Sequence, residues 1–444
     1  MDERDPAGLR RDDPAGARRD DPAVLREDLA AALRDVLGPV TIEDLTRLSG
    51  GASRQTWSFD AVGAGGSRTE LVLRRDPPGR PSEPGAMSRE ARVIAAARTA
   101  GLTVPEVLLS TDEPGMWGTA GLVMRRVAGE TIARRILRDA AYRQARKVLV
   151  RQIGEFAAGL HALEVPGYLP APDPVASLRA RLAEFEQTSP VFELALRTLE
   201  AGPPPAREPA IVHGDLRLGN LIVGPDSLHA VIDWELVHAG NPAEDLGWFC
   251  VKAWRFGVDA PAAGMGSREE LLAAYRAAGG AGITTDELRW WEIYGTLRWG
   301  VICLEQAQAH LSGAHRSVEL AAVGRRVCEQ EWDLLLLLMP DDAARAAARR
   351  PRVTGAAQPT PAPHGRPTAS ELLEAVREFL TGQVMPASTG QLAFHARVAA
   401  NILGIVAREI ELGVIPPGAS LAGTVAAKLA VANPRYFDAP PPAP

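Results

Sequence analysis

Residues 211–235 read IVHGDLRLGNLIVGPDSLHAVIDWE, and this stretch decides the fold. Ile211-Val212 is a short apolar lead-in. Leu221-Ile-Val223 and Ala230-Val-Ile232 are strand-like runs, and Gly224-Pro-Asp-Ser227 between them is a turn signal. Pairing the two runs as a hairpin puts Asn220 just before the first strand and Asp233 just after the second, at the same open end. Asp215, five residues before Asn220, falls in the loop that enters this end. Asn and Asp oxygens are the hard donors a divalent cation such as Mg²⁺ prefers, with phosphate oxygens completing its shell. A second carboxylate beside them can orient and deprotonate a hydroxyl. A lone His-x-Asp would be an ordinary acidic turn; Asn220 and Asp233 at these spacings carry the weight.

The order His213-Gly-Asp215, Asn220, apolar strand, Asp233 matches the catalytic loop and metal-binding Asp of kinases, with Asp233-Trp-Glu235 in place of Asp-Phe-Gly. Three further strings carry a closer likeness: Leu48-Ser-Gly-Gly-Ala-Ser-Arg-Gln-Thr-Trp57, Val72-Leu-Arg74, and DWELVHAGNPAEDLGWFCVKAWRF over 233–256. With them the chain resembles the aminoglycoside phosphotransferase-type branch of the protein-kinase-like family over roughly residues 24–340. It is most similar to the kinase-like domains associated with acyl-CoA dehydrogenases. The resemblance implies an α+β, two-lobed protein-kinase-like fold, with a small antiparallel-sheet N-lobe and a helical C-lobe.

It also implies roles. Asp215 would be the catalytic base or orienting carboxylate, and Asn220 and Asp233 would hold Mg²⁺. Gly50, Gly51 and Ser53 would form the loop over the phosphates of ATP, where glycine lets backbone amides approach anionic oxygens. Val72 and Arg74 share one strand face by the period of two. The likeness puts Val72 over the adenine and Arg74 on the phosphates; Arg75 points the other way and is the second choice. Glu90, on a helix read over Ser88–Ala97, would pair with Arg74. Met124 to Val127 would be the hinge whose backbone reads adenine. His213 and Asp245 would brace the catalytic loop, and His161 reads as a packed or capping histidine. Glu235 replaces a flexible glycine. Trp254-Arg255 and Arg298-Trp299 either meet an anionic substrate such as a CoA phosphate or serve packing.

Away from the motif, residues 1–23 repeat Asp-Pro-Ala every eight residues and read as a disordered tail. The N-lobe is expected over 24–125, the C-lobe over 126–340 and an Ala/Arg/Pro linker over 341–366. A small all-α domain follows over 367–435, opened by a Thr368-x-x-Glu371 capping box, and then a frayed tail over 436–444. RPTASELLEAVREFL, HARVAANILGIVAREIELG and KLAVANPRY in this last domain resemble an uncharacterised helical domain found with such phosphotransferases. About 70 residues rarely stabilise themselves, so it is expected to dock on the kinase lobe or on a partner.

The chain has 444 residues, 49 Lys+Arg against 55 Asp+Glu, and a net charge of −6. Its pI of about 5.9 argues against a general nucleic-acid binder. Cys250, Cys303 and Cys328 have no metal-ligand spacing. The charged MDERDP start does not read as a signal peptide, and no apolar run approaches the ~20 residues of a membrane span, so a cytoplasmic location is expected. Only Lys147, Lys252 and Lys428 are lysine. None lies in the N-lobe, so the phosphate cation there must be arginine, whose planar fork suits phosphate. The expected activity is ATP- and Mg²⁺-dependent phosphorylation of a small-molecule hydroxyl, with a hydroxyacyl-CoA as favoured acceptor. The rivals are an aminoglycoside acceptor and a nucleotide-binding pseudokinase that scaffolds an acyl-CoA dehydrogenase.

Overall fold

The computed structural model describes residues 21–48, 54–77, 83–114, 116–185, 189–351, 368–415 and 418–438. The repeat tail up to residue 20 and Gly50, Gly51 and Ser53 lie outside them.

Helix α1 (Pro22–Leu37) starts at Asp21, whose side chain accepts the Ala23 N–H at 2.9 Å, with proline in the first turn. Leu25, Leu29 and Leu33, spaced by four, make its buried stripe. The stripe packs on a five-stranded antiparallel sheet of β1 (Val40–Arg47), β2 (Gln55–Gly63), β3 (Arg68–Arg75), β4 (Val107–Thr111) and β5 (Gly121–Arg125), in the order β1-β2-β3-β5-β4. Alternation along β3 sorts its side chains. Leu71, Leu73 and Arg75 are buried on the α1 side with Trp57 and Phe59. Val72 and Arg74 take the other face. There α2 (Ala86–Thr99) sends Met87 into a small apolar cluster with Val72, Ala120, Leu122 and Met124.

The C-lobe is helical. It runs through α3 (Ala133–Arg138), α4 (Arg143–His161), α5 (Pro174–Leu182) and α6 (Pro190–Ala201) before the site strands. Those are β6 (Ala210–Val212), β7 (Leu221–Val223), β8 (Leu228–Val231) and β9 (His238–Gly240). Then come α7 (Ala243–Cys250), α8 (Arg268–Ala277), α9 (Thr285–Leu311), α10 (Val318–Gly324), α11 (Val327–Leu338) and α12 (Pro340–Ala348). The fold is the two-lobed one expected. The predicted hairpin forms, but its second strand begins at Leu228 and closes at Val231, because the Gly224 N–H bonds the Ser227 carbonyl at 2.9 Å and shortens the turn.

Beyond residue 340 the expected boundaries move. The first part of the expected linker is helix α12, whose Ala343 and Ala346 are buried; alanine is the best helix former, and small side chains fit a close contact. The C-terminal unit is α13 (Ala369–Phe379), α14 (Gly390–Leu412) and α15 (Leu421–Ala432), with the expected capping box at Thr368. Among the described residues it forms no separate core cluster. Val425, Ala426 and Leu429 of α15 belong to the C-lobe core, and Lys428 meets Glu331 at 3.1 Å. Nor is the chain frayed from 436: the Tyr436 hydroxyl donates to Asp333 at 2.6 Å, and Phe437 packs edge-on to Trp332.

Candidate active site

Two short ladders hold the catalytic loop. Val212 pairs with His238, and Leu221 pairs with Val231. Between them the Ile232 N–H bonds the Asn220 carbonyl at 2.9 Å, which brings Asn220 and Asp233 side by side at the open end of the hairpin. Asp233 is left-handed, with φ 71°, a conformation costly for a residue with a side chain and concentrated at functional sites. Gly214 also has φ 81°, and a Cβ there would lie 2.4 Å from the Leu236 carbonyl oxygen, so only glycine fits this turn.

Asp245, at the start of α7, ties the loop down. Its carboxylate accepts the His213 N–H at 2.8 Å, the Gly214 N–H at 3.0 Å and His161 Nε2 at 3.2 Å. His161 is therefore part of the brace, with Nδ1 3.0 Å from the Tyr275 hydroxyl. Complete burial pushes the Asp245 carboxyl up, but the hydrogen bond and charge of His161, with His213, outweigh it and hold it below the usual carboxylate value. His213 Nδ1 accepts the Asp215 N–H at 3.2 Å and Nε2 donates to the Ile232 carbonyl at 3.2 Å. Both predicted braces occupy bracing positions.

Asp215 is held by three side chains. Trp248 donates its indole N–H to Oδ1 at 2.8 Å. Asn220 donates to Oδ2 at 2.6 Å and to the backbone carbonyl at 2.9 Å. Arg217 Nε lies 3.0 and 3.1 Å from the two oxygens, with its guanidinium stacked 5.0 Å from the centre of the Trp254 ring. The Asn220 amide nitrogen is thus directed at Asp215, leaving the side-chain oxygen for another partner.

The N-lobe meets this cluster through Arg74. One nitrogen donates to Glu90 Oε1 at 2.8 Å, the pairing the sequence predicts, and the other bonds Asp233. Arg54 takes the second oxygen of Glu90, and its Nε lies 3.4 Å from Asp76 and 3.5 Å from Glu235. Two guanidinium groups therefore stand among four carboxylates, which leaves two negative charges over. Burial raises the Asp233 carboxyl, but Arg74 and then Arg217 more than offset it, and its pKa falls below the usual value. Burial opposes the charge on Arg74, yet Asp233, Glu90 and Glu235 raise its pKa further. Val72 and Met124 line the apolar cluster one register step from Arg74, and Val127 is half-buried just past β5. Arg75 points away and is buried against Gln55 and the Trp117 carbonyl.

Two readings go to packing. Arg255 is buried on Glu292 at 2.6 Å, and Arg298 is buried on the Gly214 carbonyl at 2.9 Å and over the Trp248 ring. Neither is available to a CoA phosphate. Sequence reasoning missed Arg54, Arg217 and Trp248. Each carried a signal: Arg54 follows Ser53, Arg217 is two residues past Asp215, and Trp248 is one helical turn past Asp245.

A kinase-like fold with an Asp, an Asn and a second Asp at this junction defines a class, and comparison agrees with it. The profile of the "Phosphotransferase enzyme family" matches residues 44–291. The chain belongs to that family. Mouse acyl-CoA dehydrogenase family member 10 is 32% identical over 196 residues, covering 41% of this chain and 18% of that protein. Chicken acyl-CoA dehydrogenase family member 11 is 33% identical over 196 residues, 40% of this chain and 24% of that protein. The chain thus spans under a quarter of the length of these curated relatives. A Ralstonia eutropha crystal structure, provisionally assigned as an aminoglycoside phosphotransferase, shares the fold at TM-score 0.54 and 22% identity, over 70% of this chain and 97% of that one. Residues 386–416 match a domain of unknown function, DUF6285.

Proposed function

We propose that this chain transfers the γ-phosphoryl group of ATP to a hydroxyl of a small molecule, with a hydroxyacyl-CoA as the favoured acceptor. The observation that carries the reading is the junction of the lobes, where Arg74 bridges Glu90 and Asp233 while Asn220 holds Asp215.

In this reading the acceptor hydroxyl gives its proton to Asp215 as its oxygen bonds the γ-phosphorus, and the bond to the β-phosphate oxygen breaks to release ADP. Asn220, Trp248 and Arg217 orient Asp215. Arg217, the most exposed of the three, turns from Asp215 to the transferring phosphoryl group. Arg74 and Arg54 hold the other phosphates. Val72 and Met124 to Val127 receive the adenine. Asn220 and Asp233 would hold Mg²⁺. Their hard oxygens and the two surplus negative charges suit a divalent cation, which supplies neutralisation of phosphate charge when bound.

The acyl-CoA class of acceptor follows the acyl-CoA dehydrogenase names of the relatives, and the hydroxyl is what phosphoryl transfer requires of it. Those names also motivate an acyl-CoA dehydrogenase as partner; among the described residues no helix is long and apolar enough to cross a membrane. An acceptor panel read by ADP release tests the assignment. Turnover with 3-hydroxyacyl-CoA and none with kanamycin is expected. Phosphorylation of kanamycin but of no hydroxyacyl-CoA would overturn the acceptor.

A further inference from the structure

Three tryptophans form a wall beside Asp215. Trp248 donates to its carboxylate, Trp254 packs 5.2 Å from Trp248, and Trp299 packs 5.0 Å from Trp254, ring centre to ring centre. Arg217, which holds Asp215, is stacked on the Trp254 ring. Yet the indole N–H groups of Trp254 and Trp299 are buried with no hydrogen-bond acceptor among the described residues. Aromatic pairs tolerate a range of tilts and offsets, so ring contacts alone do not fix this wall. Its edge is fixed from α11, where Glu329 and Asp333, one turn apart, are both buried. Glu329 takes Arg326 on one oxygen at 3.0 Å, and that guanidinium lies 5.8 Å from the Trp299 ring centre. Asp333 takes Lys252 on one oxygen at 3.0 Å, and Lys252 opens the short turn Lys252–Arg255 that carries Trp254. The second oxygen of each carboxylate goes to the end of the chain. Asn433 donates to Glu329 at 3.0 Å, and Tyr436 donates to Asp333 at 2.6 Å. The Lys252 ammonium also lies 4.4 Å from the centre of the Tyr436 ring.

We infer that Asn433 and Tyr436 are positioning residues for Asp215, acting through Glu329 and Asp333 to hold the tryptophan wall and, on it, Arg217. The likeness of the two links argues for this. Each buried carboxylate joins one polar group of the terminal segment to one cation at the edge of the wall. A buried carboxylate that loses a donor must recover it from the partner that remains or stay unsatisfied. For Asp333 that partner is Lys252, and a shift of Lys252 moves Trp254 beneath Arg217. A displacement of about 1 Å at a reacting group is enough to slow chemistry by about 10²-fold. The terminal segment thus shapes the site without touching substrate. Its effect on turnover rests on the phosphotransfer reading; the lock itself does not. Nucleotide is held from the other lobe by Arg54 and Arg74, so its affinity lies outside the reach of the lock.

Tyr436→Phe in the full chain tests the link, because it keeps the ring beside Lys252 and removes only the hydroxyl. Far-UV circular dichroism with thermal unfolding reports whether the variant is folded. In the ligand-free chain, Tyr436→Phe is expected to change the tryptophan band of the near-UV circular dichroism, and most of that change should be lost in a Trp254→Phe background. In the ADP-release assay its kcat should fall roughly tenfold with the KM for ATP unchanged, and it should add little to Trp254→Phe. Asn433→Ala, on the other carboxylate, carries the same expectations with Trp299→Phe as its background, and decides the matter if Tyr436→Phe does not fold. A folded variant with an unaltered tryptophan band, or effects that simply add to those of the tryptophan substitution, overturns the inference. A wild type that turns over no acceptor contradicts the phosphotransfer reading instead, and the tryptophan band of the ligand-free chain still decides the lock.

Discussion

Glu90 is shared by two arginines, and this arrangement answers a question the composition raises. With no lysine in the N-lobe, one guanidinium of fixed shape must replace a flexible ammonium. The structure places two there, Arg54 and Arg74, each on one oxygen of the same carboxylate. Loss of either should weaken nucleotide binding. Arg54→Gln and Arg74→Lys are each expected to raise the KM for ATP by roughly tenfold or more, since a charged hydrogen bond contributes about 1.5–3 kcal/mol. Undiminished activity of Arg74→Lys would mean that the scarcity of lysine is only composition. A second residue-scale prediction concerns His238, half-buried with Nε2 3.1 Å from Glu244. Burial lowers its pKa, but the hydrogen bond and charge of Glu244 outweigh burial and the repulsion of Arg298, so the folded value lies above 6.5. Its stabilising contribution is therefore complete below pH 6.5 and is lost as pH rises through the folded value. The Tm advantage of the wild type over His238→Gln should shrink between about pH 6 and pH 9; a constant or growing advantage would contradict the pairing. Asp215, Asn220 and Asp233 were legible because motif spacing places them at one end of the hairpin, Arg74 because strand alternation puts it on one face with Val72, and Glu90 only through the family resemblance. Arg54 and Trp248 were not, because their roles come from contacts between elements that no local period encodes, and Arg217, though only two residues from Asp215, sits in a loop where no strand or helix period aims its side chain.

At the scale of elements, the β7–β8 hairpin and the α7 terminus do the positioning. The hairpin sets Asn220 beside Asp233, while Asp245 holds the loop that carries Asp215. Removing the Asp245 carboxylate leaves two loop N–H groups and His161 without their acceptor in a buried site. Asp245→Ala should cost about 3–5 kcal/mol in urea unfolding, and a loss under about 1 kcal/mol would mean that the brace is not needed for folding. The hairpin was readable from two apolar runs and a Gly-Pro-Asp-Ser turn. Strands β1 and β9 were not, since Val40–Arg47 is largely exposed and polar and His238–Gly240 is too short to show alternation. Helix α12 was misread because its alanines and arginines suit a linker as well as a helix, and only the buried faces of Ala343 and Ala346 decide between them.

At the scale of the molecule, three parts form one body around one site. The α+β, two-lobed class was legible through the family resemblance that the catalytic string and the three further strings carry. The merger of the C-terminal unit with the C-lobe was not, because α15 reads as any apolar helix until its partner surface is known. Leu429, fully buried in the C-lobe core, tests that merger. Leu429→Ala should destabilise the whole chain by about 2–5 kcal/mol in one cooperative transition, and a separate early transition confined to the C-terminal helices would contradict it. The central claim is that the junction of the two lobes is a phosphotransfer site with Asp215 as its base. Its most direct test is Asp215→Asn, with ATP binding measured by calorimetry and turnover by ADP release on the acceptor panel. The account predicts ATP affinity close to wild type and a loss of turnover of at least about 10²-fold. Turnover unchanged by the substitution, or ATP bound with no turnover even in the wild type, would contradict it.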